Sequence, residues 1–153
     1  MTERQGDWDF EVRSRKSSRY AMIVAGVLVA VHVTLAVLLR VSSTGVYFRL
    51  VDQFALAGIG MLLAGGILML TRPRLRVGPR GIAVRNVLGE RIVEWDLDRG
   101  LSFPDGASWA RIELPDDEYV PVMAIQANDG DHAVAAVRRF RELEAKYTGS
   151  RTE

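Results

Sequence analysis

Residues 20–39, YAMIVAGVLVAVHVTLAVLL, and residues 51–71, VDQFALAGIGMLLAGGILMLT, decide the architecture of this chain. Each is an almost unbroken apolar run. At about 1.5 Å per residue, a helix of about 20 residues covers the roughly 30 Å hydrocarbon core of a bilayer. The pair predicts a transmembrane hairpin over residues 20–71, with the lipid bilayer as its first partner. A cleaved signal peptide is the competing reading of the first run, because small residues occur at Ser42 to Gly45. The run is too long for that, Arg40 interrupts the approach to any cleavage site, and a second run follows at once.

Basic residues set the expected orientation, since Lys and Arg beside a span tend to stay in the cytoplasm. Arg13, Arg15, Lys16 and Arg19 precede the first run, and Arg72, Arg74, Arg76 and Arg80 follow the second. Between the runs stand only Arg40 and Arg49, one of them offset by Asp52. The expectation is a multi-pass protein of the cell membrane with both termini cytoplasmic. Val41 to Leu50 would form a short external loop carrying the turn-prone Ser42-Ser43-Thr44-Gly45.

The net charge of +1 and the 25% of charged residues average an oily hairpin with an ordinary polar domain. From Arg72 onward there are 13 Lys and Arg against 14 Asp and Glu. That balance argues against nucleic acid, whose binding domains are usually strongly basic. The chain has no cysteine, which removes disulfides, thiol catalysis and cysteine-ligated metals and fits a reducing compartment.

After Pro73 the pattern changes to short alternating runs separated by turn residues, the signature of antiparallel strands with one face in a core. Strands are expected at Leu75–Val77, Ile82–Val87, Arg91–Trp95, Leu101–Phe103, Trp109–Leu114 and Tyr119–Gln126. The separators Gly78-Pro79-Arg80-Gly81, Leu88-Gly89-Glu90, Pro104-Asp105-Gly106 and Pro115-Asp116-Asp117 supply proline's fixed φ and the positive φ that Gly, Asn and Asp tolerate. From Asp131 to Tyr147 the period becomes helical. Ala136, Phe140, Leu143 and Tyr147 form an apolar stripe widened by Ala133 and Val137, and Asn128 to Asp131 offer capping oxygens before it. The pattern predicts a bent sheet or partial barrel whose open end is plugged by the helix.

Several blocks in this region resemble a known family. They are R-L-R-V-x-P-R-G from Arg74 to Gly81, V-R-N-x-L-G from Val84 to Gly89, Trp95, F-P-D-G-A-x-W-A-R-I-E-L from Phe103 to Leu114, and P-V-M-A-I-Q from Pro121 to Gln126. In order and spacing they resemble the actinobacterial pleckstrin-homology-like (PH-like) domain of the low-molecular-weight protein antigen 6 type, over nearly all of residues 72–146. The resemblance implies a PH-like fold of about seven strands with a C-terminal helix, often attached to membrane spans, and no catalytic activity. Six strands are legible, so one is broken or missed. The expected fold class is thus a membrane α-helical hairpin plus an α+β domain, a PH-like bent antiparallel sheet of six or seven strands capped by a C-terminal helix. The expected organisation is a mobile N-terminal segment at 1–19, the hairpin at 20–71, a cytoplasmic PH-like domain at 72–147 and a tail at 148–153.

A PH-like domain suggests inositide binding, which needs several cations converging on phosphates. Arg72, Arg74, Arg76 and Arg80 are the candidates. The familiar lysine cluster is absent, so topology and general headgroup contact outweigh a specific inositide pocket. His32 is an ionisable residue within the first run. No carboxylate lies at comparable depth to complete a proton relay, so a hydrogen bond to Thr34, a backbone carbonyl or a partner helix is the preferred reading. Gly26 and Ala30 in the first run, and Ala57, Gly60 and Ala64 in the second, are candidate helix-packing positions. Gly58, Gly65 and Gly66 leave room for an additional helix.

Trp95 and Trp109 are assigned to the core or its rim. The acidic run Asp116, Asp117, Glu118 reads as a solvated turn. Asp96 and Asp98 lack a neighbouring base, nucleophile or phosphate loop, so no catalytic residue is proposed. His32 and His132 are too few for a metal site, and no cofactor is expected. Trp8, Phe10 and Val12 alternate in an otherwise polar segment, and could lie at the interface, add an edge strand or bind a partner. The functional expectation is a membrane-anchored, non-catalytic module recruiting or scaffolding a protein partner of unknown identity at the inner face of the membrane. The alternative is an accessory or assembly subunit of a larger membrane complex.

Overall fold

The computed structural model describes residues 8–41 and 49–149. The expected loop after Val41, with its Ser42–Gly45 turn, lies outside the described residues apart from Arg49 and Leu50, as do residues 150–153 of the expected tail. The chain divides into two compact units, Ser17–Thr71 and Met1–Lys16 with Arg72–Glu153.

Helix α1 runs over Arg15–Val41 and α2 over Leu50–Leu68, continued by a 3-10 turn at Met69–Thr71. Both are long and apolar enough to cross a membrane. At the start of α2, the Arg49 N–H donates to Asp52 Oδ2 at 2.9 Å, which places an acidic group where the helix dipole favours one. The most buried positions are small, Ala25 and Ala36 on α1 and Gly60 and Ala64 on α2. The large apolar side chains, such as Val27, Leu38, Phe54 and Leu62, point outward. Such a surface is costly in water and ordinary in lipid.

The second unit contains two antiparallel sheets and one helix. Strands β1 (Phe10–Val12), β2 (Arg74–Gly78), β3 (Gly81–Arg85) and β4 (Glu90–Val93) form a four-stranded sheet in that order. Strands β5 (Leu101–Ser102), β6 (Trp109–Glu113) and β7 (Tyr119–Gln126) form a three-stranded sheet. Helix α3 (Asp131–Gly149) packs against β1, β2, β5 and β7. All the legible strands of 74–126 are present, and the seventh comes from ahead of the apolar helices. Phe10, Glu11 and Val12 pair antiparallel with Val77, Arg76 and Leu75. The expected mobile segment at 1–19 therefore contains an edge strand, and the sheet reaches beyond the 72–147 span read from the sequence.

Residues 8–16 are held to this unit by more than the ladder. Val12 is buried in the core, and the Asp9 N–H donates to the Val77 carbonyl at 2.9 Å. Lys146 Nζ donates to Asp9 Oδ2 at 3.0 Å, and His132 Nε2–H donates to the Arg13 carbonyl at 3.1 Å. Asp129, expected to help cap α3, instead accepts the Lys16 N–H at 2.9 Å through Oδ1. The Val134 N–H of α3 meets the Gly130 carbonyl.

The core joins Leu75, Val77, Ile82 and Val84 of one sheet to Ile112, Val120 and Val122 of the other, with Phe140 and Leu143 from α3. Trp95 lies within it. Its Nε1–H donates to the Gly78 carbonyl at 3.0 Å, and its ring centroid is 5.4 Å from that of Tyr147 and 6.5 Å from that of Phe140. Trp109 sits at the rim, 40% exposed, beside the irregularity in β6–β7 pairing at Trp109/Ala110. Gly81 occupies the left-handed region at φ 132° where the β2–β3 turn closes, and a β-carbon there would collide with the Val93 carbonyl oxygen. No other residue type fits.

Val12 is the fully buried anchor of the three-residue strand, with Phe10 partly buried against the same core, so Val12→Asp is expected to release it. Trypsin cleavage after Arg13 in the detergent-solubilised chain should then accelerate by about tenfold or more, because protection reflects the free energy of local opening.

Candidate functional site

The β2–β3 turn fixes a register in which Arg74 faces Arg85, Arg76 faces Ala83 and Gly78 faces Gly81. The next strand puts Glu90 opposite Arg85. One carboxylate thus sits among three guanidinium groups. Glu90 is 3.6 Å from Arg74 Nη2 and is hydrogen-bonded by Arg76. Arg72, Arg74 and Arg85 line a cleft of about 300 Å³ closed by the β3–β4 turn, Asn86 to Glu90. The turn is braced from behind, since Asn86 Nδ2 donates to the Pro121 carbonyl and Asn86 Oδ1 accepts the Met123 N–H. Leu88 at its tip is 96% exposed.

The four arginines expected to contact headgroups are divided by this geometry. Arg72 and Arg74 share the cleft. Arg76 does not, because it is buried between Glu90 and the Trp8 ring, its guanidinium carbon 4.8 Å from the ring centroid. Arg80 lies in the β2–β3 turn beyond Gly78, and Gly78 is itself four residues along β2 from Arg74, about 14 Å at about 3.4 Å per residue. Arg85 is the site residue missed in the sequence. The two-residue turn between Gly78 and Gly81 contained the signal, because that turn sets the register and hence the partner of Arg74.

Burial alone would raise the Glu90 carboxyl, but the hydrogen bond from Arg76 and the charges of Arg76 and Arg74 bring it net below the ordinary carboxylate value. The cleft therefore remains cationic, with several guanidinium groups against one ionised acid. Chemically it can hold an anion through charge-assisted hydrogen bonds. Among the described residues no group of three or more acidic or histidine side chains could hold a metal.

The bacterial PH domain family matches residues 72–143. An uncharacterized protein of Mycobacterium bovis and one from each of two strains of Mycobacterium tuberculosis are 50% identical to this chain over 147 residues, 96% of either length. The chain belongs to their family, and its residues 72–143 form a PH-like domain. The family match begins at Arg72, whereas the sheet begins at Phe10. The mycobacterial relatives match across the N-terminal strand, both apolar helices and the PH domain together. No solved structure matches the chain.

The candidate residues of the apolar helices are also sorted by the structure. Gly60 lies directly against His32, where an added β-carbon would come 2.6 Å from the imidazole Cβ and Cγ. His32 Nδ1–H donates to the Leu28 carbonyl at 2.8 Å, so a backbone carbonyl is its partner. Gln53 Nε2 donates to the Ala36 carbonyl at 3.2 Å, joining the two helices. Ala64 is buried and Ala57 is half-buried, but Gly26 and Ala30 are exposed. Ala25, one position earlier, is buried. The four-residue spacing in α1 was legible, but the face it occupies was not.

Two outcomes follow from these contacts. A depressed carboxyl stabilises the fold above the unfolded-state carboxylate value, and this stability is lost as pH falls through the lower folded-state value. Glu90→Gln should thus cost about 1–3 kcal/mol near neutral pH. The gap should close at acid pH in denaturant titrations followed by tryptophan fluorescence. In the helix pair, Gly60→Leu should lower the midpoint of unfolding in graded dodecyl sulfate, and adding His32→Ala should recover part of the loss by making room.

Proposed function

We propose that the chain is a two-span protein of the cell membrane that displays its PH domain on the cytoplasmic side as a non-catalytic module binding a protein partner, with anionic headgroups contacting the domain. The observation that carries this reading is the pairing of β1 with β2. One strand precedes the apolar helices and the other follows them, so the ends of the helix pair must lie on one side of any membrane they cross. An even number of spans satisfies this, and the arginines at Arg13, Arg15, Arg19, Arg72 and Arg74 favour the cytoplasm as that side. The resemblance to the antigen 6 type supports the same arrangement.

The cationic cleft at Arg72, Arg74 and Arg85 supports headgroup contact, with the exposed Leu88 as an apolar tip beside it. Basic groups near an anionic leaflet contribute about 1 kcal/mol each. The glycines of α2 favour a second reading, an accessory or assembly subunit of a membrane complex. At Gly58, Gly65 and Gly66 an added β-carbon would meet nothing within 4 Å, which leaves a surface on which a further helix could pack closely.

The absence of cysteine makes a direct test simple. An impermeant thiol reagent applied to intact cells should modify Ser43→Cys and spare Asp105→Cys until the membrane is permeabilised. The reverse pattern would overturn the proposed orientation. In nanodiscs of mixed neutral and anionic lipid, replacing Arg72, Arg74 and Arg85 with Ala should reduce co-purifying anionic lipid about tenfold or more. Unchanged retention would remove the headgroup role.

A further inference from the structure

Helix α3 has a second stripe besides the one that enters the core. Val134, Arg138 and Arg141 follow at helical spacing beside Val137, which borders the core stripe, and Val134 is 58% exposed. Together with Phe103, just beyond the edge strand β5, they line an open cleft of about 750 Å³ that has Ala133 in its wall. The β7–α3 turn closes one end at Ala127 and Gly130. Apolar residues predominate at the turn end and guanidinium groups towards the C-terminal end.

We propose that this cleft is the partner-binding site of the module and takes a short acidic and apolar segment of another protein in an extended conformation. The inference rests on the binding-module reading above and adds a site and a ligand class to it. Charge complementarity selects the ligand. Arg138 has no hydrogen-bond or ion-pair partner among the described residues, whereas Glu142, the one acid of the lining, already accepts from Arg139 Nη1 at 2.8 Å. The rim is thus positive, and it is completed by carboxylates from outside. The cleft runs from Gly130, just ahead of α3, to Arg141, about 16 Å at a helical rise, which matches an extended segment of about five residues. Among the described residues, the neighbouring strand β5 pairs on one side only, with β6, and is two residues long. An edge of that kind can accept an added strand, which favours a peptide over a lipid surface.

The test uses the full chain in nanodiscs of neutral phosphatidylcholine, panned with a random heptapeptide display library, with empty nanodiscs subtracted. Enriched sequences should combine Asp or Glu with large apolar residues, and the synthetic heptapeptides should bind saturably by fluorescence anisotropy. Val134→Glu, an exposed position that folding tolerates, should weaken binding at least about tenfold, as should Arg138→Ala with Arg141→Ala. Enrichment of basic peptides, absence of enrichment, or binding indifferent to Val134→Glu would overturn the proposal. So would a Val134 methyl resonance that shifts with anionic lipid or protein concentration rather than with peptide. If any of these occurs while the thiol-labelling pattern and lipid retention are as expected, the cleft is rejected and the membrane-module reading stands.

Discussion

The pairing of Phe10–Val12 with Leu75–Val77 is the constraint on which the rest of this structure depends. A PH-like sheet is here assembled from two stretches of chain separated by two apolar helices. Seen as a linear map, the protein has a tail, a hairpin and a domain. As a fold, the hairpin is a long insertion in the first connection of the sheet. The interruption is affordable because the cost of closing a loop grows only slowly with its length and the inserted residues are themselves ordered helices. Val12 in the core and the links of Asp9, Arg13 and Lys16 to α3 and its preceding turn offset what remains.

Charge is distributed around that same strand. Arg76 is in the middle of β2, where a guanidinium without partners would be costly, and it is held between Glu90 and Trp8. Trp8 reaches it only because β1 is in register. The neutralisation of Arg76 leaves Arg72, Arg74 and Arg85 as the cationic cleft. A similar separation of structural and available charge occurs on α3, where Arg139 is committed to Glu142 and Arg138 is not.

Much of this was legible because it depends on local pattern. The apolar runs, the period of two in Ile82 and Val84, the turn residues at Gly78 to Gly81 and the stripe of α3 each reflect physics within a few residues. What was not legible required long-range pairing. Three residues of β1 carry too weak a pattern to identify their partner, and Asp129 reads as a cap for the helix beside it although it serves residue 16. Arg76 and Arg74 look equivalent by alternation, yet one is buried by Trp8 from a distant part of the chain. Gly26 and Ala30 have the spacing of a packing stripe, but only the three-dimensional structure showed that Ala25 is the buried position.

The split sheet also fixes an order of events during synthesis. Val12 leaves the ribosome about 60 residues before Leu75, which at roughly 5–20 residues per second is an interval of about 3–12 s. Until both apolar helices have been made, the first strand has no edge to join and Trp8 has no guanidinium to cover. Under the proposed membrane arrangement, completion of the domain reports that the preceding helices have been threaded correctly. If the helices cross a membrane as proposed, a chain whose second helix failed to return would leave its strands stranded on opposite sides, unable to close and open to proteolysis.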